Sequence, residues 1–204
     1  MRKLLPIILV FAVLCTCLIA CQGNASKQPS AEDPRFTELP VLPLSLYHGE
    51  NSISVGHGTQ HTDQEEYRLW IPEERDGLPV ISITERGFAY SFELVVAKIP
   101  GSIKWIDQWA FLGCPGLEIV KMEHGVEIIG PAAFADCPAL TEVTMPNSLT
   151  ELSYTVFTGC TSLTEITYTG TCAEWNTLEK DEKWNAGSAI KVVHCTDGDI
   201  AVGE

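Results

Sequence analysis

The chain repeats itself every 23 positions along much of its 204 residues. Phe88, Phe111, Phe134 and Phe157 recur at that interval, and so do Leu94, Leu117, Leu140 and Leu163. Ile99, Met122, Met145 and Tyr168 form a third column, with Ala97, Val120, Val143 and Ile166 two places ahead of it. A fourth runs through Ile83, Ile106, Ile129 and Leu152, preceded by Val80, Ile103, Val126 and Leu149. Cys114, Cys137 and Cys160 keep the same phase, and Ser91 holds their place in the first coil. A unit this short has too little core to fold alone. Stability must come from laying like side chains over like, with backbone groups pairing between coils about 4.8 Å apart.

Within each coil, Leu-x-x-Val-x-Met alternates as a short strand does. A bend follows at Pro100-Gly101, His124-Gly125 and Pro146-Asn147. A second apolar stretch comes next, such as Val126-x-x-Ile129, and then Ala-Phe-x-x-Cys, long enough for one helical turn only. The pattern predicts a solenoid of short β-strands with single helical turns, about four to five stacked coils over residues 51–171. A non-repeating C-terminal cap is expected over 172–204.

The units Ile103-x-x-Ile106-x-x-x-Ala110-Phe111-x-x-Cys114-x-x-Leu117 and Val126-x-x-Ile129-x-x-x-Ala133-Phe134-x-x-Cys137-x-x-Leu140 resemble BspA-like leucine-rich repeats. Trp70-Ile71-Pro72 followed by Asp76-Gly77-Leu78-Pro79-Val80 is similar to that family's first coil. Trp175, Trp184 and Val193-His194-Cys195-Thr196-Asp197-Gly198 are similar to its C-terminal end. The resemblance spans residues 67–198 and implies a surface-exposed leucine-rich-repeat solenoid. Characterised members bind host matrix proteins or other bacteria. Glu123 departs from the pattern, standing where neighbouring coils carry Pro100 and Pro146.

The chain opens on Arg2 and Lys3, followed by an apolar run from Leu4 to Ala20 broken only by Pro6 and Thr16. Residues 1–20 therefore read as a signal peptide. Leu18-Ile19-Ala20-Cys21 resembles the bacterial lipobox, which implies a diacylglycerol on the Cys21 thiol and a lipid-anchored protein facing outside the cytoplasm, at the cell membrane or outer membrane. Residues 21–50 are expected to be a flexible tether and an extended lead-in, since Pro40 and Pro43 forbid a helix there.

A hydrophobic fraction of 45% excludes wholesale disorder, and a net charge of -14 makes nucleic acid an improbable partner. Without Arg2 and Lys3 the balance is 11 basic against 27 acidic residues. No catalytic constellation, phosphate loop or metal-ligand spacing is present, so neither enzyme activity nor a cofactor is expected. His57 and His61 sit four apart, but Gly56, Gly58 and Thr59 mark a loop. The three in-phase cysteines read as small buried hydrophobes. Cys172 and Cys195 flank the tail and are expected to form a disulfide, closing a loop of about 24 residues with ~3 kcal/mol of stabilisation.

A monomeric module binding a protein or glycan is the expected function, most simply in adhesion to host or neighbouring cells. The alternative is a carbohydrate-binding accessory lipoprotein. Two outward columns are the candidate ligand faces. One carries Val96 and Lys98, then Ile119 and Lys121, suited to an acidic partner. The other carries Trp105 and Ile128 with Trp109 nearby, either exposed for contact or folded back over the coil edge.

Overall fold

A computed structural model describes Phe36 and residues 44–50, 52–57 and 66–203. The alternating apolar columns form β1 (Leu44–His48), β2 (Ile53–His57), β3 (Tyr67–Trp70), β4 (Glu74–Arg75), β5 (Leu78–Ile83) and β6 (Leu94–Ile99). They continue through β7 (Trp105–Ile106), β8 (Ile119–Met122), β9 (Ile128–Ile129), β10 (Glu142–Met145), β11 (Glu151–Leu152) and β12 (Glu165–Tyr168). After helix α1 (Cys172–Thr177) come β13 (Glu179–Lys180), β14 (Val192–Cys195) and β15 (Gly198–Ala201).

These strands stack into two ladders. The first sheet runs β3-β6-β8-β10-β12-β14, all parallel, and closes with antiparallel β15. The second runs β2-β5-β7-β9-β11-β13, also parallel, and antiparallel β1 closes its other end. Each ladder thus has six parallel rungs among the described residues, where the periodicity predicts four to five coils. The extra rungs lie in longer end coils. Val55 pairs with Ile83 and Glu151 with Glu179, each 28 positions on, whereas Ile106 pairs with Ile129 at 23. A β4–β5 hairpin lengthens the first of these coils and α1 the last, so the columns drop out of phase there.

The columns superpose. Phe88 and Phe111 stack with ring centroids 5.2 Å apart, Phe111 and Phe134 at 5.0 Å, and Phe134 and Phe157 at 5.8 Å. The stack ends where Trp184 meets Phe157 edge-on, and Trp175 in turn packs edge-on against Trp184. Helix α1 is started by a capping box, in which Thr171 accepts from the Glu174 backbone while the Glu174 carboxylate accepts from the Thr171 N–H. It buries Trp175 against this end of the core.

The Ala-Phe-x-x-Cys stretches are not the expected helical turns. Four successive coils instead each have two residues at positive φ, four apart: Arg86 and Tyr90, Trp109 and Gly113, Ala132 and Asp136, Thr155 and Gly159. These interruptions point alternate N–H groups along the solenoid, where Trp109, Phe111 and Gly113 donate to the carbonyls of Pro131, Ala133 and Ala135 at 2.7–3.0 Å. The intervening amides close local turns, as Leu112 does on Trp109. A helix would spend every amide within the coil. The alternating turn supplies a third ladder, which offsets the ~1–3 kcal/mol of each left-handed residue other than glycine.

Two further expectations change. Gly56 and His57 belong to β2, because Ile53 and Val55 are buried and the strand pairs on both sides. Leu44–His48, within the expected lead-in, is likewise a strand of the second sheet.

Candidate functional site

The outer face of the first sheet carries two rows. Register places Arg68, Val96, Ile119, Glu142 and Glu165 in one, and Trp70, Lys98, Lys121, Thr144 and Thr167 in the other. Val96 and Ile119 therefore sit on the face the sequence assigns them, but they are not exposed. Each is at most 1% accessible, and they form a small cluster with Val95 and Phe36. The Arg68 guanidinium donates to the Phe36 carbonyl, and the Lys121 ammonium stands 5.6 Å from the Phe36 ring centre. The apolar pair is thus already covered by a residue of the lead-in, whose return to the sheet no periodic signal marks.

The two lysines are also engaged. Lys98 pairs with Glu123 at 2.9 Å and Lys121 with Glu142 at 3.1 Å. The expected reservoir of uncompensated positive charge for an acidic partner is therefore absent. Glu123, which breaks the proline column, supplies one of these carboxylates, and its N–H donates to the Ile99 carbonyl at 2.9 Å. A proline there would forfeit both contacts.

The second sheet presents Trp105 beside Ile128 on adjacent rungs. Trp105 is 39% exposed and Ile128 partly so. Trp109 lies beyond the strand, in the turn, with the Arg86 guanidinium 4.4 Å over its ring. Arg86 and Trp109 share one 23-residue column, which is why they stack, and that face of the indole is taken. The structure thus separates the two tryptophans: Trp105 stays open and Trp109 is partly closed by packing.

Next to Ile128 runs an open groove of about 380 Å³, lined among others by Glu85, Asp107, Gln108, Glu151 and Ser153. Gly130 also lines it and lets two coils approach closely, since a Cβ there would come within 2.8 Å of the Gln108 backbone nitrogen. Burial raises the Asp107 carboxyl above its usual range, and the neighbouring Glu85 carboxylate adds to the effect. A cationic side chain entering the groove would relieve that repulsion. Sequence reasoning missed these acids. Asp107, Gly130 and Ser153 do share one column, but its members differ in chemistry, so the period alone marks no site.

Cys114, Cys137 and Cys160 are buried free thiols. Each Sγ donates to the carbonyl of the phenylalanine in the preceding coil, at 3.1–3.2 Å. Cys172 and Cys195 are also unbonded, but they stand as neighbours beside the turn of the β14–β15 hairpin. Desolvation, the Cys195 thiol and the Asp197 carboxylate push the Cys172 thiol up to about 11. His194 is held between two acids, Nδ1 2.8 Å from Asp199 and Nε2 3.1 Å from Glu165, and these raise its pKa. His124 Nδ1 lies 3.0 Å from the Asn147 amide oxygen. Cys21 and His61 lie outside the described residues.

Residues 78–178 match the BspA type leucine rich repeat region, in six copies. No curated protein matches the chain. Among solved structures, the pneumococcal vaccine antigen PcpA is similar at a TM-score of 0.54 and 17% identity, over 76% of this chain and 48% of that one. A leucine-rich repeat protein from Bacteroides capillosus is similar at 0.50 and 21% identity, over 77% and 96%. A leucine rich cell surface protein from Faecalibacterium prausnitzii gives 0.48 and 21% identity, over 68% of this chain, which spans only 41% of that protein. For the two structures at 0.50 and above, the likeness at these identities is one of fold.

Proposed function

Taking residues 78–178 as a BspA-type leucine-rich-repeat array, we propose that the chain displays a protein-binding surface at the cell envelope, serving adhesion to host or neighbouring cells. The observation that carries this reading is the open Trp105–Ile128 pair beside the acidic groove. An exposed indole supplies a large apolar contact at low entropic cost, and Glu85, Asp107 and Glu151 offer carboxylates to a lysine or arginine of the partner. Elongated repeat surfaces suit such contacts because neighbouring coils present a fixed array of side chains. Cys21, in its lipobox-like setting, is the proposed attachment point of the lipid.

Beads coated with the chain and flowed over epithelial cells and immobilised matrix proteins test the reading. Retention is expected to exceed that of albumin-coated beads, and to fall about tenfold for Trp105→Ala, in line with a loss of 1.4 kcal/mol or more at a hot spot. Full retention by Trp105→Ala together with Glu85→Gln would remove this face from the function. Incorporation of radiolabelled palmitate that Cys21→Ser abolishes is the expected result for the anchor.

A glycan ligand is the second reading, favoured by one open tryptophan paired with Ile128, whose groove also carries Gln108, Asp107 and Ser153. The guanidinium over Trp109 removes the two-indole platform that sugar stacking would use best. Saturable binding of a defined oligosaccharide, lost in Trp105→Ala, would decide for it.

A further inference from the structure

The two most exposed large apolar side chains among the described residues sit on a single coil. Phe92 is 67% exposed and Tyr90 54%, both in the turn that carries the chain from β5 to β6. Neither is what the repeat asks for. Position 90 is held at φ +60°, and its equivalents Gly113, Asp136 and Gly159 are residue types that tolerate the left-handed region. Position 92 is proline in the next two coils, at Pro115 and Pro138. The Tyr90 ring is accommodated because Gly113 has no side chain, since a Cβ there would lie 2.7 Å from two ring carbons. A strained aromatic and an uncovered one both cost stability, and neither joins the core.

Their place in the stack says what could cover them. The turn from 84 to 92 is the first rung of the third ladder among the described residues, at the N-terminal end of the solenoid. Phe36 packs on the same coil, against Val95 and Val96 of β6. Cys21, the proposed lipid attachment, precedes Phe36 by 15 positions, which bridge at most about 50 Å. The tether thus enters on the coil that exposes the two rings. We propose that Tyr90 and Phe92 seat this coil on the lipid surface to which the chain is anchored. The seat presupposes the lipid on Cys21 proposed above. Both rings suit the headgroup boundary, where an apolar face meets lipid and a phenol hydroxyl stays wet. A net charge of -14 repels anionic headgroups, so partition of the rings and not charge supplies the contact. The acidic groove begins at the other end of the same turn, at Glu85, and the seat leaves it open to a partner.

The lipidated chain in phosphatidylcholine vesicles provides the test, with 4-fluorophenylalanine in place of Phe92 in one preparation and of Tyr154 in another. Tyr154 is also exposed but lies three coils along the stack. Nitroxide-bearing phosphatidylcholine is expected to broaden the ¹⁹F resonance at 92 several-fold more than that at 154. Equal broadening at the two positions, or none at either, overturns the proposal. Tyr90→Gly in the chain labelled at 92 should keep its unfolding midpoint, because Gly113 and Gly159 fill the equivalent position. It should also lose part of the broadening at 92. Broadening that survives intact removes Tyr90 and overturns the two-ring seat.

Radiolabelled palmitate tells failure of the seat from failure of the anchor. Label absent from the chain overturns both together, whereas label present with no excess broadening at 92 overturns the seat alone. Without nitroxide, the resonance at 92 should not move as the density of chain on the vesicles is raised. A density-dependent shift would assign the two rings to a second copy, and a shift seen only on adding soluble matrix protein would assign them to that partner. Either result overturns the lipid reading.

Discussion

Phe134 sits between two stacked rings at 5.0 and 5.8 Å and is fully buried, so its side chain belongs to three coils at once. Phe134→Ala should cost ~3–5 kcal/mol, because neighbouring coils are held by their ladders and cannot collapse into the void. Urea unfolding would register this as a lowered midpoint. Gly125 is constrained for a different reason. Its φ is +128°, and a Cβ would lie 2.0 Å from the Gly101 carbonyl oxygen. Backbone cannot swing away as a side chain can, so Gly125→Ala is expected to destabilise by ~1–3 kcal/mol, against almost nothing for Gly77→Ala on space alone, where no atom lies within 4 Å. Gly77 still carries the conformational part of that cost at φ +79°. The surface lysines fall at the other extreme. Replacing Lys98 by alanine removes a partly exposed ion pair and should change stability by less than about 1 kcal/mol.

At the scale of an element, the β14–β15 hairpin is the part most sensitive to conditions. His194 on β14 donates to Asp199 on β15 and Glu165 on β12 only when both ring nitrogens carry protons. Its pKa in the fold is raised, so the stabilisation is fully present below the unfolded value and fades as pH rises through the folded one. Amide exchange of residues 192–201, corrected for intrinsic rates, should show protection falling as pH rises above histidine's ordinary value of about 6.5. His194→Gln should flatten that dependence. The same hairpin carries the two adjacent cysteines. With the Cys172 thiol pushed up to about 11, alkylation of the reduced chain at Cys172 should be slow at neutral pH and quicken only in strong alkali. In an oxidising medium the pair is expected to close, and intact mass after alkylation without reductant would then lack two labels.

At the scale of the whole molecule, a stack of coils is stabilised by its neighbours and therefore vulnerable at its ends. The antiparallel strands β1 and β15 cover one edge of each sheet, and Trp184 closes the phenylalanine stack by turning its edge to Phe157. Trp184→Ala should open that end and cost ~3–5 kcal/mol, with added aggregation on heating as the next rungs become unprotected. Light scattering during a thermal ramp would show it. Loss of stability without aggregation would mean that β13–β15, not the indole, protect the end.

The period of 23 was enough to specify a solenoid, its buried columns and the phase of the cysteines, because in a stacked array the side chain at one position meets its own equivalent in the next coil. The same logic hid what lies off the period. The end coils differ in length, so their rungs fall outside the 23-residue period. The alternating left-handed turns came from the demand of inter-coil hydrogen bonds, which leaves no trace in hydrophobicity. Trp105 and Ile128 were legible as outward positions, since a strand alternates its faces. Which outward residues reach solvent was a tertiary matter. Phe36 lies 60 residues from Val96 in sequence and covers it through space, Arg86 reaches Trp109 through a shared column, and the acids of the groove converge from three different coils. Sequence spacing encodes neighbours along a ladder, whereas exposure depends on whatever else folds back over it.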